Sequence, residues 1–505
     1  MPGMIIRLSY LMILFFCLSV SSVKAVTIDT LITKGLDFTF NMKFDEAVRQ
    51  FDKLIARDPS HPSGYFMKTA VLFWKFTRNF RSEELGDEFE AVSLHAAEIA
   101  EKYHEKNKND QDGLFYLGGI YGNLGRYYAI KRNYWSAYWN GKKGKNYLED
   151  LVEINPQYYD AYLGLGIYHY YAATVPRFLK IFSFLLGIEG EKEQGLRELH
   201  LAVDKGLLTN NEARIFLSTI YMRLEHEYEK ALVLVEELNR QYPNNSAFKI
   251  SIGWVYAHMG LDDQALEIFN EILKNRDPDF QLITNQALFH SGEIYFKRNQ
   301  FKEAVKYYKE VIENSKEKEE DRSWFYSNCL LNLGRTLEIT GNREEAVKYY
   351  KQIEENYSEW SYGEAQERLE NPYSPEDIKM IIAENYTNNN QPDRAKALLD
   401  ELMAGLKNRS GDEKKVTEGK IHHYYGKIYL QKKKYEDAKK AFHLVLNSGI
   451  EEPEWLISWT HFYLAHTYRD AGNKALARTH YTEAMDTDSF RLKLQAEKEL
   501  RRLGE

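Results

Sequence analysis

The chain has 505 residues, of which 44% are hydrophobic and 28% charged, so it is too apolar to be disordered. Glycine (30 residues) and proline (11) are scarce, which excludes collagen-like and linker-like chains and disfavours an all-β protein with many turns. The formal net charge of −8 argues against the phosphate backbone of a nucleic acid as the main partner, so we expect no nucleic-acid binding.

Residues 1–25 are typical of a secretory signal peptide. Arg7 precedes an apolar or weakly polar run from Leu8 to Val20, and Val23-Lys24-Ala25 fits a small-residue cleavage site. At about 1.5 Å per residue this run is too short for the roughly 30 Å hydrocarbon core of a bilayer. We therefore expect an exported protein, periplasmic or extracellular, with the signal peptide cleaved after Ala25.

The chain contains two cysteines, Cys17 and Cys329. Cys17 lies in the signal segment, so cleavage would leave Cys329 alone and allow no intramolecular disulfide. Cys329 sits in an apolar helical sequence, which predicts a buried and inert thiol.

One pattern recurs seven times along the sequence. A small residue is followed three positions later by an aromatic residue or Leu, nine positions further by Ala, and four further by a second aromatic residue or Leu. The surrounding apolar residues recur at helical spacing and turn-like segments separate the two halves, so each instance predicts a helical hairpin. We expect Gly334 and Ala346 to face each other at a close helix crossing. The seven instances are Gly35/Phe38/Ala47/Phe51, Gly253/Tyr256/Ala265/Phe269, Gly292/Tyr295/Ala304/Tyr308, Gly334/Leu337/Ala346/Tyr350, Ala383/Tyr386/Ala395/Leu399, Gly426/Tyr429/Ala438/Phe442 and Ala465/Tyr468/Ala477/Tyr481.

These residues resemble the tetratricopeptide repeat family. Leu333-Gly334 matches the Leu-Gly pair of the family pattern, and Pro59, Pro156 and Pro243 lie at or near its closing position. The resemblance implies an all-α protein, an α-solenoid superhelix of about ten or eleven helical hairpins. The predicted units start near residues 28, 62, 111, 159, 212, 246, 285, 327, 376, 419 and 458.

The repeat is less regular in the N-terminal half of the chain. We expect an irregular helical region over 26–245, a regular array over 246–488 and a capping helix over 489–505. The units starting near 62, 111 and 159 are expected to carry inserts between their two helices. Intervals of 39 to 49 residues between the starts from 246 to 458 predict lengthened helices or turns there.

Residues 156–203 are similar to a segment of the inclusion body clearance family of tetratricopeptide proteins. A glycine-rich helix with Gly164 and Gly166 precedes Pro176 and the apolar stretch Phe178–Ile188. The resemblance implies a repeat scaffold connected with lipid or aggregate handling and supplies no catalytic residues. Phe178–Ile188 is either a helix that makes a peripheral membrane or ligand contact or a helix buried inside the superhelix.

The sequence offers no pattern of catalytic, metal-binding or cofactor-binding residues. His422 and His423 are adjacent, so on a helix their side chains point about 100° apart, and we expect them at the surface or in the groove. Gly118-Gly119 and Gly164-Leu165-Gly166 lie within predicted helices, which indicates close helix packing and not a phosphate-binding loop.

The repeat resemblance implies that a protein or peptide binds on the concave surface, at positions two, five, nine and twelve of the first helices. Aromatic and charged side chains mixed along such a groove suit peptide recognition. We therefore predict a non-catalytic scaffold with candidate partner-binding residues Trp254, Phe289, Glu293, Arg335, His423, Lys427, Trp459, Phe462 and His466.

Two other functions remain open at this point. One is a lipid-handling helical module, which would carry bound lipid when purified. The other is a helical-toroid carbohydrate-active enzyme, which would need two carboxylates in a central pocket. The toroid would gain support if the repeating pattern did not map onto adjacent hairpins.

Overall fold

The computed structural model describes residues 30–78, 80, 82–173, 191–315, 324–408, 410–487 and 489–504. The predicted signal segment with Cys17 and the stretch Phe178–Ile188 lie outside these residues. Within the described ranges the chain is all-helical, with 24 α-helices, two short 3₁₀ turns and no strands.

The chain forms two compact units, one of residues up to 219 with 233–245 and one of residues 220–232 with 246 onwards. Helices of the first unit are α1 (Thr30–Phe40), α2 (Phe44–Arg57), α3 (Ser63–Arg78), α4 (Glu83–Lys106), α5 (Gln111–Ile130), α6 (Tyr134–Ile154), α7 (Ala161–Ala173) and α8 (Lys192–Lys205). Two helices contribute residues to both units, α9 (Asn210–Arg223) and α10 (Tyr228–Gln241).

The second unit contains the remaining helices. They are α11 (Ser246–His258), α12 (Asp262–Lys274), α13 (Gln281–Lys297), α14 (Phe301–Asn314), α15 (Trp324–Ile339), α16 (Arg343–Tyr350), α17 (Glu359–Glu370), α18 (Pro375–Asn388), α19 (Pro392–Gly405), α20 (Asp412–Gln431), α21 (Tyr435–Leu446), α22 (Glu454–Asp470), α23 (Lys474–Glu483) and α24 (Phe490–Gly504).

Helix pairs follow one another as the repeating pattern predicts. Eleven pairs run from α1/α2 to α15/α16 and from α18/α19 to α22/α23, and each first helix begins within seven residues of a predicted unit start. Within each unit, most helices adjacent in the chain pack on each other, and several first helices also contact the next first helix. The predicted fold class, an all-α solenoid of helical hairpins, is confirmed.

A glycine lying against an aromatic ring joins the two helices of five pairs. At each such glycine an added Cβ would lie only 2.3 to 2.6 Å from the ring of the residue sixteen positions later. The expectation that Gly334 faces Ala346 is therefore corrected, because the nearest atoms belong to the ring of Tyr350. Helical side chains lean towards the helix N-terminus, so the Tyr350 ring reaches back past the fully buried Ala346. The five contacts are Gly35–Phe51, Gly253–Phe269, Gly292–Tyr308, Gly334–Tyr350 and Gly426–Phe442.

In the first unit, glycines bring helix backbones into direct contact. A Cβ added to Gly125 of α5 would lie 2.9 Å from the backbone nitrogen of Gly141 on α6, and one added to Gly166 of α7 would lie 2.9 Å from the carbonyl oxygen of Gly195 on α8. Close helix packing at Gly118 is confirmed in the same way, since Leu148 and a backbone carbonyl of α6 surround it.

The predicted inserts between paired helices are absent from α3/α4 and α5/α6. Their helices are instead long, with 24 residues in α4, 20 in α5 and 21 in α6. A lengthened first helix is also found in the second unit, where α20 has 20 residues whereas α11 has 13.

Helix α17 is a structural element that the sequence analysis did not predict. It packs on α15 and α16, and the next helix, α18, contacts α13. Asn385 of α18 donates hydrogen bonds from Nδ2 to the carbonyl oxygen of Phe296 (3.0 Å) and to Oδ1 of Asn299 (2.8 Å). Asn299 occupies the left-handed region with φ of 60°, as befits the tight turn that ends α13. The repeat following α17 is thus anchored on a helix almost 90 residues earlier.

The cysteine prediction is confirmed at Cys329. Its side chain is fully buried, and its Sγ–H donates to the carbonyl oxygen of Tyr308 at 3.4 Å. Burial raises the pKa of the thiol well above its ordinary value, so the reactive thiolate is suppressed.

Candidate functional site

Three successive first helices of the second unit, α18, α20 and α22, share a face centred on Lys427. The Lys427 ammonium donates to Oδ1 of Asn388 on α18 at 3.0 Å. It also lies 4.8 Å from the ring centroid of Tyr463 on α22 and 5.4 Å from that of Tyr424 on its own helix. At such distances a ring face attracts a cation, so the two rings and the amide hold the ammonium in place.

The aromatic part of this face lies on α22. The rings of Trp459 and Tyr463, four residues apart and hence on one helix face, stack with centroids 5.8 Å apart and planes 29° apart. Both side chains are half-buried, so each keeps part of its ring accessible. The pair offers apolar area beside the Lys427 charge.

An acidic group completes what we call the Lys427 cluster, defined as Glu384, Asn388, Tyr424, Lys427, Trp459 and Tyr463. The negative charge of Glu384 on α18 acts on the hydroxyl of the buried Tyr424. Burial first, and then the charge of Glu384, raise the pKa of Tyr424 well above its ordinary value, so the hydroxyl remains a donor. Together these contacts hold side chains of three first helices in fixed positions.

His466 lies at the edge of the Lys427 cluster. Its Nδ1 donates to the carbonyl oxygen of Phe462 at 3.0 Å, and its ring centroid is 6.3 Å from that of Tyr463. Burial lowers the pKa of the imidazole, which favours the neutral ring at neutral pH.

Trp254 and Glu293 belong to a second group of side chains, on α11 and α13. The Trp254 indole stacks on His258 with ring centroids 3.6 Å apart, and burial lowers the pKa of His258 to about 4. Burial opposes ionisation of Glu293, but Nδ1 of His290 lies 2.8 Å from its carboxylate, and the net pKa of Glu293 is lowered. Glu293 and His258 interact electrostatically, so the two first helices meet here.

Arg335 lies half-buried on α15. Its Nε donates to the hydroxyl of Tyr373 at 3.0 Å, in the segment between α17 and α18. The Arg335 guanidinium therefore stabilises the segment between α17 and α18.

Three of the nine predicted site residues lie inside the fold. Phe289 and Phe462 are 5% and 7% exposed, and the Phe289 ring packs 4.7 Å from that of Phe325. His423, expected at the surface or in the groove, is only 2% exposed because α22 covers it, and its Nδ1 lies 2.8 Å from Oγ1 of Thr460. These three side chains hold adjacent hairpins together.

The structure brings Lys427, Trp459 and His466 to one face, together with residues that the sequence analysis missed. Tyr424 and Tyr463 could have been found from their spacing, three residues before Lys427 and four after Trp459 on the same helix faces. Glu384 and Asn388 gave no such signal, because their contacts depend on how one hairpin packs on the next.

Metal-binding and membrane-spanning features were also sought in the described ranges. There, no group of three or more His, Cys, Asp or Glu side chains is placed to hold a metal ion. None of the helices within those ranges is long and apolar enough to cross a membrane.

Residues 284–359, which run from α13 to beyond α16, match the sequence model of the tetratricopeptide repeat family. This part of the chain carries tetratricopeptide repeats. These repeats indicate a scaffold for protein interaction.

Individual relatives of the chain are distant. A TPR repeat-containing protein of Methanocaldococcus jannaschii is 24% identical over 102 residues, which is 20% of this chain and 32% of that protein. The match thus spans about a third of the relative's length. Two solved structures are similar, each over 98% of its own chain: a tetratricopeptide repeat protein from Parabacteroides merdae (13% identity, 58% of this chain, TM-score 0.25) and PilF from Pseudomonas aeruginosa (20% identity, 50% of this chain, TM-score 0.34).

Proposed function

We propose that this protein binds an acidic peptide segment of a partner protein at the Lys427 cluster and catalyses no reaction. The observation that carries the proposal is that the Lys427 ammonium forms no ion pair in the part of the chain that the structure describes. Among the described residues its half-buried ammonium has an uncharged amide as its hydrogen-bond partner and no ion pair. A half-buried cation that forms no ion pair favours an incoming carboxylate, because a charge-assisted hydrogen bond is stronger where water is scarce.

The neighbouring rings supply the second element of recognition. Tyr463 lies beside the ammonium and Trp459 stacks on Tyr463, so the pair offers partly accessible apolar surface. Aromatic side chains of this kind carry much of the binding energy in protein interfaces. The preferred peptide therefore carries an Asp, a Glu or a terminal carboxylate next to an apolar side chain.

The repeat pattern bears on the choice between this function and a helical-toroid enzyme. In each instance the small residue lies on one helix of a pair, and the last aromatic residue or Leu lies on the other. A helical-toroid enzyme would be favoured only if the pattern did not map onto paired helices. Non-catalytic binding is therefore the function we retain.

The compartment belongs to the same proposal. The charge and apolar pattern of residues 1–25 supports export of the protein and cleavage after Ala25. The partner is accordingly sought among periplasmic or secreted proteins. The protein used in these experiments begins at Val26.

Two matched pairs of variants test the proposed site. Peptides from exported proteins are screened on an array, and the dissociation constants of acidic hits are measured. Lys427→Ala should weaken binding by about 10- to 100-fold, the range for loss of a charged hydrogen bond, whereas Lys432→Ala near the end of the same helix should change it less than about twofold. Trp459→Ala should weaken binding about tenfold, and Trp455→Ala on the same helix should not.

Two results would contradict the proposal. One is equal affinity of the Lys427→Ala and Lys432→Ala proteins for every acidic peptide, and the other is a preference of the parent protein for basic peptides. Trp459 is altered alone because truncating the buried Phe462 would cost about 3–5 kcal/mol of stability and confuse loss of binding with unfolding.

A further inference from the structure

The corner between α5 and α6 exposes an unusual set of side chains in the first unit. Ala129 to Trp135 are seven consecutive exposed residues, and the side chains of Tyr134 and Trp135 are among the most exposed large hydrophobic groups, at 71% and 64%. Trp139, one turn further along α6, is 46% exposed, and its ring packs 5.6 Å from that of Trp135. We call Ile130, Lys131, Arg132, Tyr134, Trp135 and Trp139 the α5–α6 corner.

The charge of this region is opposite to that of the chain. No Asp or Glu occurs between Asp112 and Glu149, although the whole protein has a net charge of −8. Within the described residues, the exposed Lys131 and Arg132 side chains have no ion pair or hydrogen bond. Lys142, one turn after Trp139, lies with its ammonium 5.7 Å from the Trp139 ring.

The fold of the first unit leaves these large rings exposed, although large apolar side chains contribute the most free energy when they are buried. Apolar side chains of this size each gain about 1.5–3 kcal/mol when buried, and contiguous exposed groups of them mark interaction sites. Arg126, Lys143 and Lys145, by contrast, pair with Glu212, Glu101 and Glu149. Lys131 and Arg132, beside the exposed rings, have no acidic partner among the described residues.

We propose that the α5–α6 corner docks the protein on a membrane surface that contains anionic phospholipid. Trp and Tyr rings have one apolar and one polar end, which suits the boundary between headgroups and acyl chains. Lys131 and Arg132 would meet lipid phosphates while Ile130, Tyr134, Trp135 and Trp139 enter the boundary, so charge attraction and apolar burial act together. This inference does not depend on peptide binding at Lys427.

A membrane surface fits the corner better than the other partners of a basic aromatic patch. A nucleic acid requires a longer track of cations, since its affinity comes from many phosphate contacts, and here two cations stand on one turn. The exposed rings and the two cations lie within ten residues at the corner between α5 and α6, so one membrane surface would contact them together.

Vesicle binding with matched variants tests this inference. The chain from Val26 onwards is mixed with vesicles of phosphatidylcholine alone or with 30% phosphatidylglycerol (roughly the anionic content at which polybasic surfaces bind). Binding is measured by co-sedimentation at low and high salt. Trp135→Ala/Trp139→Ala should weaken binding to the anionic vesicles about tenfold or more. Lys131→Gln/Arg132→Gln should weaken it about fivefold for each cation removed and reduce its dependence on salt.

The control is Trp360→Ala, which removes another exposed tryptophan, 60% exposed on α17, and should bind as the parent protein does. The inference is overturned if the parent protein does not bind anionic vesicles, or if the corner variants and the Trp360→Ala protein bind them equally well. All the altered side chains are exposed, and circular dichroism of each variant checks that it is folded.

Discussion

In five of the repeats the two helices are joined by an aromatic ring that packs against a glycine. At Gly334 an added Cβ would sit 2.4 Å from Cε1 of Tyr350, closer than any carbon contact allows. The ring cannot move away freely, because Tyr350 is fully buried and its hydroxyl donates to Glu338 at 2.9 Å. A single methyl group is therefore enough to disturb the pair.

Gly334→Ala should lower the free energy of unfolding by about 1–3 kcal/mol, the cost of overpacking a filled core. Gly363 on α17 is the matched control, since it is an exposed helical glycine with nothing within 4 Å of an added Cβ. Gly363→Ala should be neutral or stabilise the protein by up to about 1 kcal/mol, because alanine favours the helix. Urea unfolding of the two variants measures the difference, and equal stability would show that the Tyr350 ring yields easily.

Among the helices, α18 shows how one element departs from the regular repeat. It begins with a capping box, in which Ser374 Oγ accepts from the Asp377 backbone nitrogen while Asp377 accepts from that of Ser374. Local sequence thus starts the helix, but its position is set by the contacts of Asn385 with Phe296 and Asn299 at the end of α13.

Asn385→Ala should cost about 1–2 kcal/mol of stability, because it removes the two hydrogen bonds that join α18 to the end of α13. Asn388→Ala, one turn later on the same helix, is exposed and should change stability by less than about 0.5 kcal/mol. Thermal or urea unfolding compares the two. A smaller loss for Asn385→Ala than for Asn388→Ala would mean that α18 is held by other contacts.

For the molecule as a whole, most contacts join neighbours in the chain. Within the second unit, α15 packs on α14, α16 and α17, and a buried cluster links the side chains of these helices around Tyr308, Leu330 and Tyr350. In such an arrangement stability is carried by interfaces between adjacent repeats, so a defect spreads to near neighbours before distant ones.

Amide hydrogen exchange on Gly334→Leu tests this consequence. Protection should fall in α13 to α17, and α18 should follow because it is anchored on α13, while α3 to α6 of the first unit keep their protection. Uniform loss of protection throughout the chain would instead indicate one cooperative core.

The sequence alone determined the repeating units. Small residues, aromatic residues and alanines recur with helical spacing, and this information is local, so all eleven first helices could be located to within seven residues. It also predicted the buried Cys329 and the close helix packing at Gly118 and Gly166, because each depends on residues in one or two adjacent helices.

Tertiary structure decided the features that depend on contacts between hairpins. The docking of α18 on α13 joins residues almost 90 positions apart, and burial of His423 depends on α22, more than 30 residues later. The Lys427 cluster likewise gathers side chains from three hairpins, of which Lys427 and Trp459 were predicted and Asn388 and Tyr463 were not. Helical periodicity gives the face on which a side chain lies, whereas only the packing of one hairpin on the next decides whether that face is covered or left open to a partner.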